Sequence, residues 1–303
     1  MINLSTNDFY ARATGQLAKL RESAEKLQGQ IATGERIERS SDDPVGAAQL
    51  RSLDRQKRLA GVDQRNADLV ASDLQLADDA LGEMANLVIR ARELAVSAAN
   101  GTASEQDRLI IAVELESLRE SLLTVANSRD TAGHALFGGT TTGMAFEKVG
   151  NVVSYSGTQT SSEVEISPDV NVSRGIVGQN IVQFSHAGSA TDLFAVIENL
   201  VAQIRADPAA AAAGARDATE AFGAALEKVT VAQTDVGAKL GLIGVVGEQR
   251  QSTLNSIAER ENQVGGVDLA TAVSNLQSLM TVLEASQASF VRLSSLTLFN
   301  RLR

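Results

Sequence analysis

Two carboxylates stand side by side at Asp42 and Asp43, inside the stretch "ERIERSSDDPVGAAQLRSLDRQ" at residues 35–56. A carboxylate pair of this kind can do general acid–base work when one partner holds a proton. Pro44 follows directly and no histidine is near in sequence. That context points to architecture: Asp43 is placed to cap a helix, and Pro44 falls at the first helical position, where its missing N–H costs nothing. Asp42 adds negative charge near the positive end of the helix dipole. The turn Asp42–Asp43–Pro44 therefore reads as punctuation between two helices.

Other chemistry-bearing residues are few. The two histidines, His134 and His186, are far apart in sequence, and the chain has no cysteine. Without HxxxH or HxH spacing, no metal site is expected. Asp78 and Asp79 would point to different sides of a helix and read as a solvated face. Gly241, Gly244 and Gly247 lie in "GLIGVVG", but their spacing matches neither nucleotide-binding fingerprint, and no strand precedes them. Close approach of a neighbouring helix or a local kink explains them better. No serine sits in a nucleophile-elbow context. The sequence reads as a non-enzyme, with no catalytic residue, cofactor or metal expected.

The elements around these residues are the stronger signal. The 303 residues are 44% hydrophobic but only 3% aromatic, without tryptophan. Ala, Leu, Val and Ile suit narrow helix–helix seams better than a thick core. Prolines at 44, 168 and 208 leave long stretches without a helix breaker. A net charge of −10 argues against nucleic acid as a partner. No unbroken apolar run approaches the ~20 residues that cross a bilayer, so no membrane insertion is expected. The N-terminal "MINLSTNDFYARATGQ" lacks the pattern of a cleaved secretory signal. That favours the cytoplasm, or an export route that uses no such signal.

Heptad spacing dominates the chain. Tyr10, Ala13, Leu17, Leu20, Ala24, Leu27 and Ile31 alternate at steps of three and four, the pattern of a coiled-coil seam. At about 1.5 Å per residue such a helix is on the order of 40 Å long, and its stripe needs a partner. Ala67, Val70, Leu74, Ala77, Leu81, Met84, Val88, Ala91 and Ala95 repeat the register. "NGTAS" at 100–104 breaks it, with Ser104 or Thr102 able to cap a third helix carrying Ile111, Leu115, Leu118, Leu122 and Val125. The short break favours antiparallel packing of these two helices.

From about residue 138 the chain turns rich in Gly, Ser, Thr and Val. "AFEKV" and "VVSYS" flank Gly150-Asn151, a hairpin pattern, and "SSEVEI" and "VNVS" flank Pro168. So small a β-rich insertion is expected to lean on the helices. Helical pattern resumes at "TDLFAVIENLVAQIRAD", with Leu193, Ile197, Leu200 and Ile204 on one face. A long helix over about 215–260 carries Phe222, Ala225, Val229, Ala232 and Val236. Gly265-Gly266 forms a hinge and Asp268 can cap the last helix. There Leu269, Val273, Leu276, Met280, Leu283 and Phe290 make one stripe, with Leu296 and Phe299 among the apolar residues beyond it. A helix apolar over most of its circumference must be buried on several sides. The ends are therefore expected to order on association with other subunits.

The two ends resemble the flagellin superfamily of bacterial flagella, in its hook–filament junction branch. The residues that carry the resemblance are "SSDDPVG" at 40–46, "GHALFGG" at 133–139, "VGAKL" at 236–240 and the closing "SLTLFNRLR". The resemblance covers roughly 1–140 and 230–303. It implies a mainly α fold: an elongated antiparallel helical bundle with paired N- and C-terminal coiled-coil helices and a small β-rich insertion. The domains expected are a terminal assembly domain (1–40 with 265–303), a helical rod (41–139 with 188–264) and a β-rich outer domain (140–187). The expected assembly interface is Leu17, Leu20, Leu27, Ile31, Leu269, Val273, Leu276, Met280, Leu283, Phe290, Leu296 and Phe299. The resemblance further implies a structural part joining the hook to the flagellin filament. Its partners would be copies of itself in a ring, a hook-associated protein on one side, flagellin on the other, and an export chaperone before secretion through the flagellar type III apparatus. A flagellin filament subunit is the alternative. A cell-surface ligand-binding protein is a third reading, with only Tyr155, Phe146 and Phe184 as platforms in the insertion.

Overall fold

The computed structural model describes the backbone of residues 2–299 and the side-chain surroundings of residues 8–293. The elements in chain order are α1 (Ile2–Thr33), α2 (Pro44–Ala99), α3 (Glu105–Ala126), β1 (Phe146–Val149), β2 (Val152–Tyr155), β3 (Glu163–Ser167) and β4 (Val170–Ser173). They continue with α4 (Gln179–Val182), β5 (Gln183–His186), β6 (Ser189–Asp192), α5 (Leu193–Ala206), α6 (Ala212–Gly265) and α7 (Leu269–Phe299). The fold is mainly helical with a small strand insertion. It divides into two compact units, residues 1–59 with 252–303 and residues 60–251. Both α2 and α6 contribute to each unit.

In the unit of residues 60–251, all nine apolar heptad positions from Ala67 to Ala95 on α2 are buried. On α3, Ile111, Leu115, Leu122 and Val125 are buried with them, as are Leu193, Ile197, Leu200 and Ile204 on α5. Phe222, Ala225, Val229 and Val236 bring α6 into the same core. The cap of α3 falls to Ser104: its side chain accepts from the Asp107 N–H, and the Asp107 carboxylate accepts from the Ser104 N–H. This reciprocal pair satisfies two helix-end donors.

The strands form three separate antiparallel hairpins. Phe146 pairs with Tyr155 in the first, and Val164 with Val172 in the second. Gly150 and Asp169 take positive φ at the two turns, 64° in each case. The third hairpin departs from expectation. Residues 189–192 form β6 before α5 begins, because Ala187 and Gly188 adopt φ of 49° and 80° and turn the chain straight back. Two successive left-handed residues match the twist of a two-residue hairpin loop. Phe146, Val153, Ile166, Val172 and Phe184 from the hairpins enter the same core as the helices.

Buried and half-buried arginines fasten the hairpins to the helices and the helices to one another. Arg250 donates to the Gln64 side chain at 2.7 Å and to the Ile166 carbonyl. Arg174 binds the carboxylates of Asp73 on α2 and Asp130 in the loop after α3. Arg119 of α3 pairs with Glu198 of α5. The Asp73 and Asp130 carboxylates and the Ile166 carbonyl thereby gain donors in surroundings that exclude water.

Candidate assembly surface

In the unit of residues 1–59 and 252–303, α1 pairs with α7. The seven seam positions Tyr10, Ala13, Leu17, Leu20, Ala24, Leu27 and Ile31 are each partly or fully buried, while most of the intervening residues are exposed. Charged residues such as Arg12, Lys19, Arg21, Glu22 and Glu25 occupy the solvent side. At the far end of the pair, the Tyr10 and Phe290 rings meet edge to face at 5.6 Å, a favoured aromatic geometry.

α7 answers with Ala272, Leu276, Leu279, Leu283, Ser286 and Phe290, spaced four–three along one face and all partly or fully buried. Of the stripe read from the sequence, Leu276, Leu283 and Phe290 therefore face the pair, with Leu283 at 8% exposure. Leu269, Val273 and Met280 do not; they are exposed at 52%, 43% and 38%. At 3.6 residues per turn they share a second line with Val291, roughly a quarter-turn from the first. Val282 and Leu293, also exposed, lie on the opposite flank. The side chains of Leu296 and Phe299 fall outside the described residues.

The α1–α7 seam is itself incompletely filled. An open groove of about 390 Å³ is lined by Phe9, Leu17, Leu20, Val282 and Phe290 among others. A second, of about 470 Å³, is lined by Leu27, Leu279 and Val282 with polar neighbours. Protein interiors pack densely with few voids of this size. The pair is thus a partial core, apolar on three sides of α7.

The aspartate turn holds the base of this pair. Asp43 Oδ1 accepts from the Gly46 N–H at 2.9 Å, the N-cap bond of α2. Its other oxygen accepts from Arg36 at 3.1 Å. Asp42 accepts from the Arg39 N–H at 3.0 Å and from Lys26 of α1 at 2.6 Å. The Lys26 ammonium holds the Asp42 carboxyl below its ordinary range, and the Gly46 amide, aided by Arg36, does the same for Asp43. Both groups are thereby kept ionised, as caps require, and every donor around them serves the turn.

A link absent from the sequence reading joins the two chain ends. Arg36 N–H donates to the Gly265 carbonyl at 2.6 Å, and Val267 N–H donates to the Gly34 carbonyl at 3.0 Å. These bonds frame an antiparallel bridge between Glu35 and Gly266. Arg36 also reaches the Val264 carbonyl at 2.7 Å. The only hint in the sequence is a glycine after the first helix and two before the last. Gly34 takes φ of 75°, and a side chain at Gly265 would crowd Leu50 at 3.0 Å. On α7, Asp268 caps the first turn, accepting from the Thr271 hydroxyl at 2.6 Å.

A further apolar stretch lies on α6, and only 11% of it is buried. Leu242 and Val245 are exposed there, and no heavy atom lies within 4 Å of a Cβ built at Gly241, Gly244 or Gly247. By length and composition alone α6 is apolar enough to cross a membrane, as mostly buried core helices of soluble proteins also are. Elsewhere, among the described residues, no group of three or more His, Cys, Asp or Glu side chains gathers to hold a metal ion. His134 lies beside Asp130 at 3.2 Å and His186 beside Asp217 at 2.8 Å.

Residues 4–142 match the bacterial flagellin N-terminal helical region. Flagellar hook-associated protein 3 of Escherichia coli (strain K12) is 24% identical over 292 residues, covering 90% of this chain and 91% of that protein. Flagellin C of Vibrio cholerae is 30% identical over 146 residues, covering 48% of this chain and 39% of the flagellin. In fold, the flagellar junction protein FlgL of Legionella pneumophila superposes with a TM-score of 0.62 at 15% identity, over 72% of this chain and 100% of that one.

Proposed function

We propose that this chain, which resembles hook-associated protein 3 over nearly its whole length, is a structural subunit of the bacterial flagellum that joins the hook to the flagellin filament. The observation that carries this reading is the span of the similarity. It runs over 90% of the chain and 91% of hook-associated protein 3, whereas the flagellin match stops at 39% of the flagellin.

The terminal unit supports an assembly role. Leu276, Leu283 and Phe290 hold α7 to α1 together with Leu17, Leu20, Leu27 and Ile31. Leu269, Val273 and Met280 are free to meet neighbouring subunits, and an apolar line left in water is stabilised by being covered. In this reading copies of the chain form a ring, with a hook-associated protein on one side and flagellin on the other. Residues 1–40 with 265–303 make the assembly part, 41–139 with 188–264 the rod, and 140–187 the outer part. Before export through the flagellar type III apparatus, a chaperone covers the apolar α7. Outside the cell the work is mechanical, adapting a curved hook to a stiffer filament.

The test is position. Tagged protein located by electron microscopy is expected at the hook–filament boundary. Label distributed along the filament, or long homopolymers from seeded monomer, would overturn the junction reading in favour of a filament subunit.

A further inference from the structure

We propose that Asn100 is a self-deamidating residue, activated by the turn it sits in, and that this gives the chain a built-in chemical clock independent of its place in the flagellum. Asn100-Gly101 is the one Asn-Gly pair in the 303 residues, and both are exposed in the short connection between α2 and α3. The Asn100 carboxamide oxygen accepts two hydrogen bonds, from the Thr102 N–H at 3.1 Å and from the Thr102 hydroxyl at 3.0 Å. Two donors on a carbonyl oxygen draw electron density from its carbon and stabilise negative charge that develops on the oxygen. The nucleophile is equally free. The turn's backbone bonds run from Asn100 N–H to the Ser97 carbonyl and from Ala103 N–H to the Asn100 carbonyl, leaving the Gly101 N–H out. A Cβ built at Gly101 would meet nothing within 4 Å, and glycine reaches the backbone angles of ring closure at low cost.

The chemistry needs only water and hydroxide. Hydroxide removes the Gly101 amide proton and the nitrogen attacks Asn100 Cγ, forming a C–N bond. The negative charge passes to the side-chain oxygen, held by the Thr102 donors. The intermediate collapses and the Cγ–Nδ2 bond breaks, with Nδ2 taking a proton from water to leave as ammonia and regenerate hydroxide. The resulting succinimide adds water at either carbonyl, and the ring C–N bond opens to aspartate or isoaspartate. One water is consumed, one ammonia is released, and nothing is oxidised or reduced.

The product matters to the fold because of where it sits. A new carboxylate just past Ala99, the last residue of α2, faces the negative end of the helix dipole. The isoaspartyl product also lengthens the main chain beside the Asn100 carbonyl. Buried Arg108 holds that carbonyl at 3.0 Å while gripping the Ala98 and Pro208 carbonyls at 3.0 and 2.9 Å. Ageing would thus load the clamp that joins the end of α2 to α3 and to the loop before α6.

The experiment ages purified full-length chain in mildly alkaline buffer, folded and in urea, and follows it by peptide mapping and isoaspartyl labelling. Aspartate and isoaspartate are expected at Asn100 ahead of every other asparagine, faster in the folded chain than in urea. Thr102→Val keeps the backbone N–H and removes the hydroxyl. It should slow the folded reaction several-fold and leave the rate in urea unchanged, while Asn100→Gln should abolish the product. No product at Asn100, a folded rate at or below the rate in urea, or a Thr102→Val rate equal to the parent's in the folded chain would each overturn the proposal.

Discussion

Asp42 and Asp43 illustrate how a pair that looks catalytic is consumed by structure. Their oxygens accept from the amides of Arg39 and Gly46 and from the side chains of Lys26 and Arg36, and no acceptor–proton couple remains for acid–base work. Asp268 and Asp107 cap other helices, and their carboxyls are lowered mainly by the hydroxyls of Thr271 and Ser104. Native pKa values below those of the unfolded chain mean that the unfolded state binds protons first on acidification. The caps therefore contribute fully above about pH 4, near the ordinary aspartate value, and the contribution disappears as pH falls through the lowered native values. Urea unfolding between neutral pH and pH 3 should show midpoints falling below about pH 4. Asp43→Asn, which keeps the cap acceptor without the charge, should flatten that fall. Asp43→Ala should lower the midpoint at neutral pH as well, because the Gly46 N–H loses its acceptor. The cap was legible in the sequence, since Asp-Pro before a helix has a local cause. The contacts from Lys26 and Arg36 were not, because they depend on which segments meet in space.

The same contrast separates α1 from α7. On α1 the seam is unambiguous because charged residues mark every other side of the helix. α7 has only Glu284 and Arg292 as charged residues between 269 and 299, so charge does not mark out its solvent side as it does on α1. Leu276, Leu283 and Phe290 recur every seven residues and fit either flanking set, Val273 with Met280 or Ala272 with Leu279. Size favours the first set; the structure uses the second, in which the small Ala272 sits buried against the pair. This division makes a sharp prediction. Leu283→Ala should destabilise the α1–α7 pair of the isolated chain by about 2 kcal/mol, the lower end for truncating a buried leucine, measured as loss of amide protection in both helices. Met280→Asp should leave that protection intact, since its side chain already meets water, yet sharply reduce incorporation into flagella. Equal loss of protection in both variants would mean that the two faces are not distinct.

For the molecule as a whole, the question is whether the unit of residues 60–251 stands without the ends. Its hairpins were visible in the sequence as alternating runs about Gly150 and Pro168, and so small an insertion was expected to lean on the helices, but the contacts that carry that dependence were not legible. That dependence runs through ion pairs to buried carboxylates, such as Arg174 with Asp73, and through Phe146 and Ile166 in the common core. Arg174→Met should cost about 3 kcal/mol, because it leaves the Asp73 carboxylate buried and uncompensated, and should be read as a lower urea midpoint for this unit alone. Deleting residues 268–303 removes α7 and its cap but no member of that core. The truncated chain is therefore expected to keep the near-native circular dichroism and cooperative unfolding of the 60–251 unit while failing to enter flagella. α1 would then present its uncovered stripe, from Tyr10 to Ile31, and become the first site of proteolysis. If the truncated chain still entered flagella, the terminal pair would not be the assembly element. If the 60–251 unit unfolded with it, the two units would be a single cooperative one.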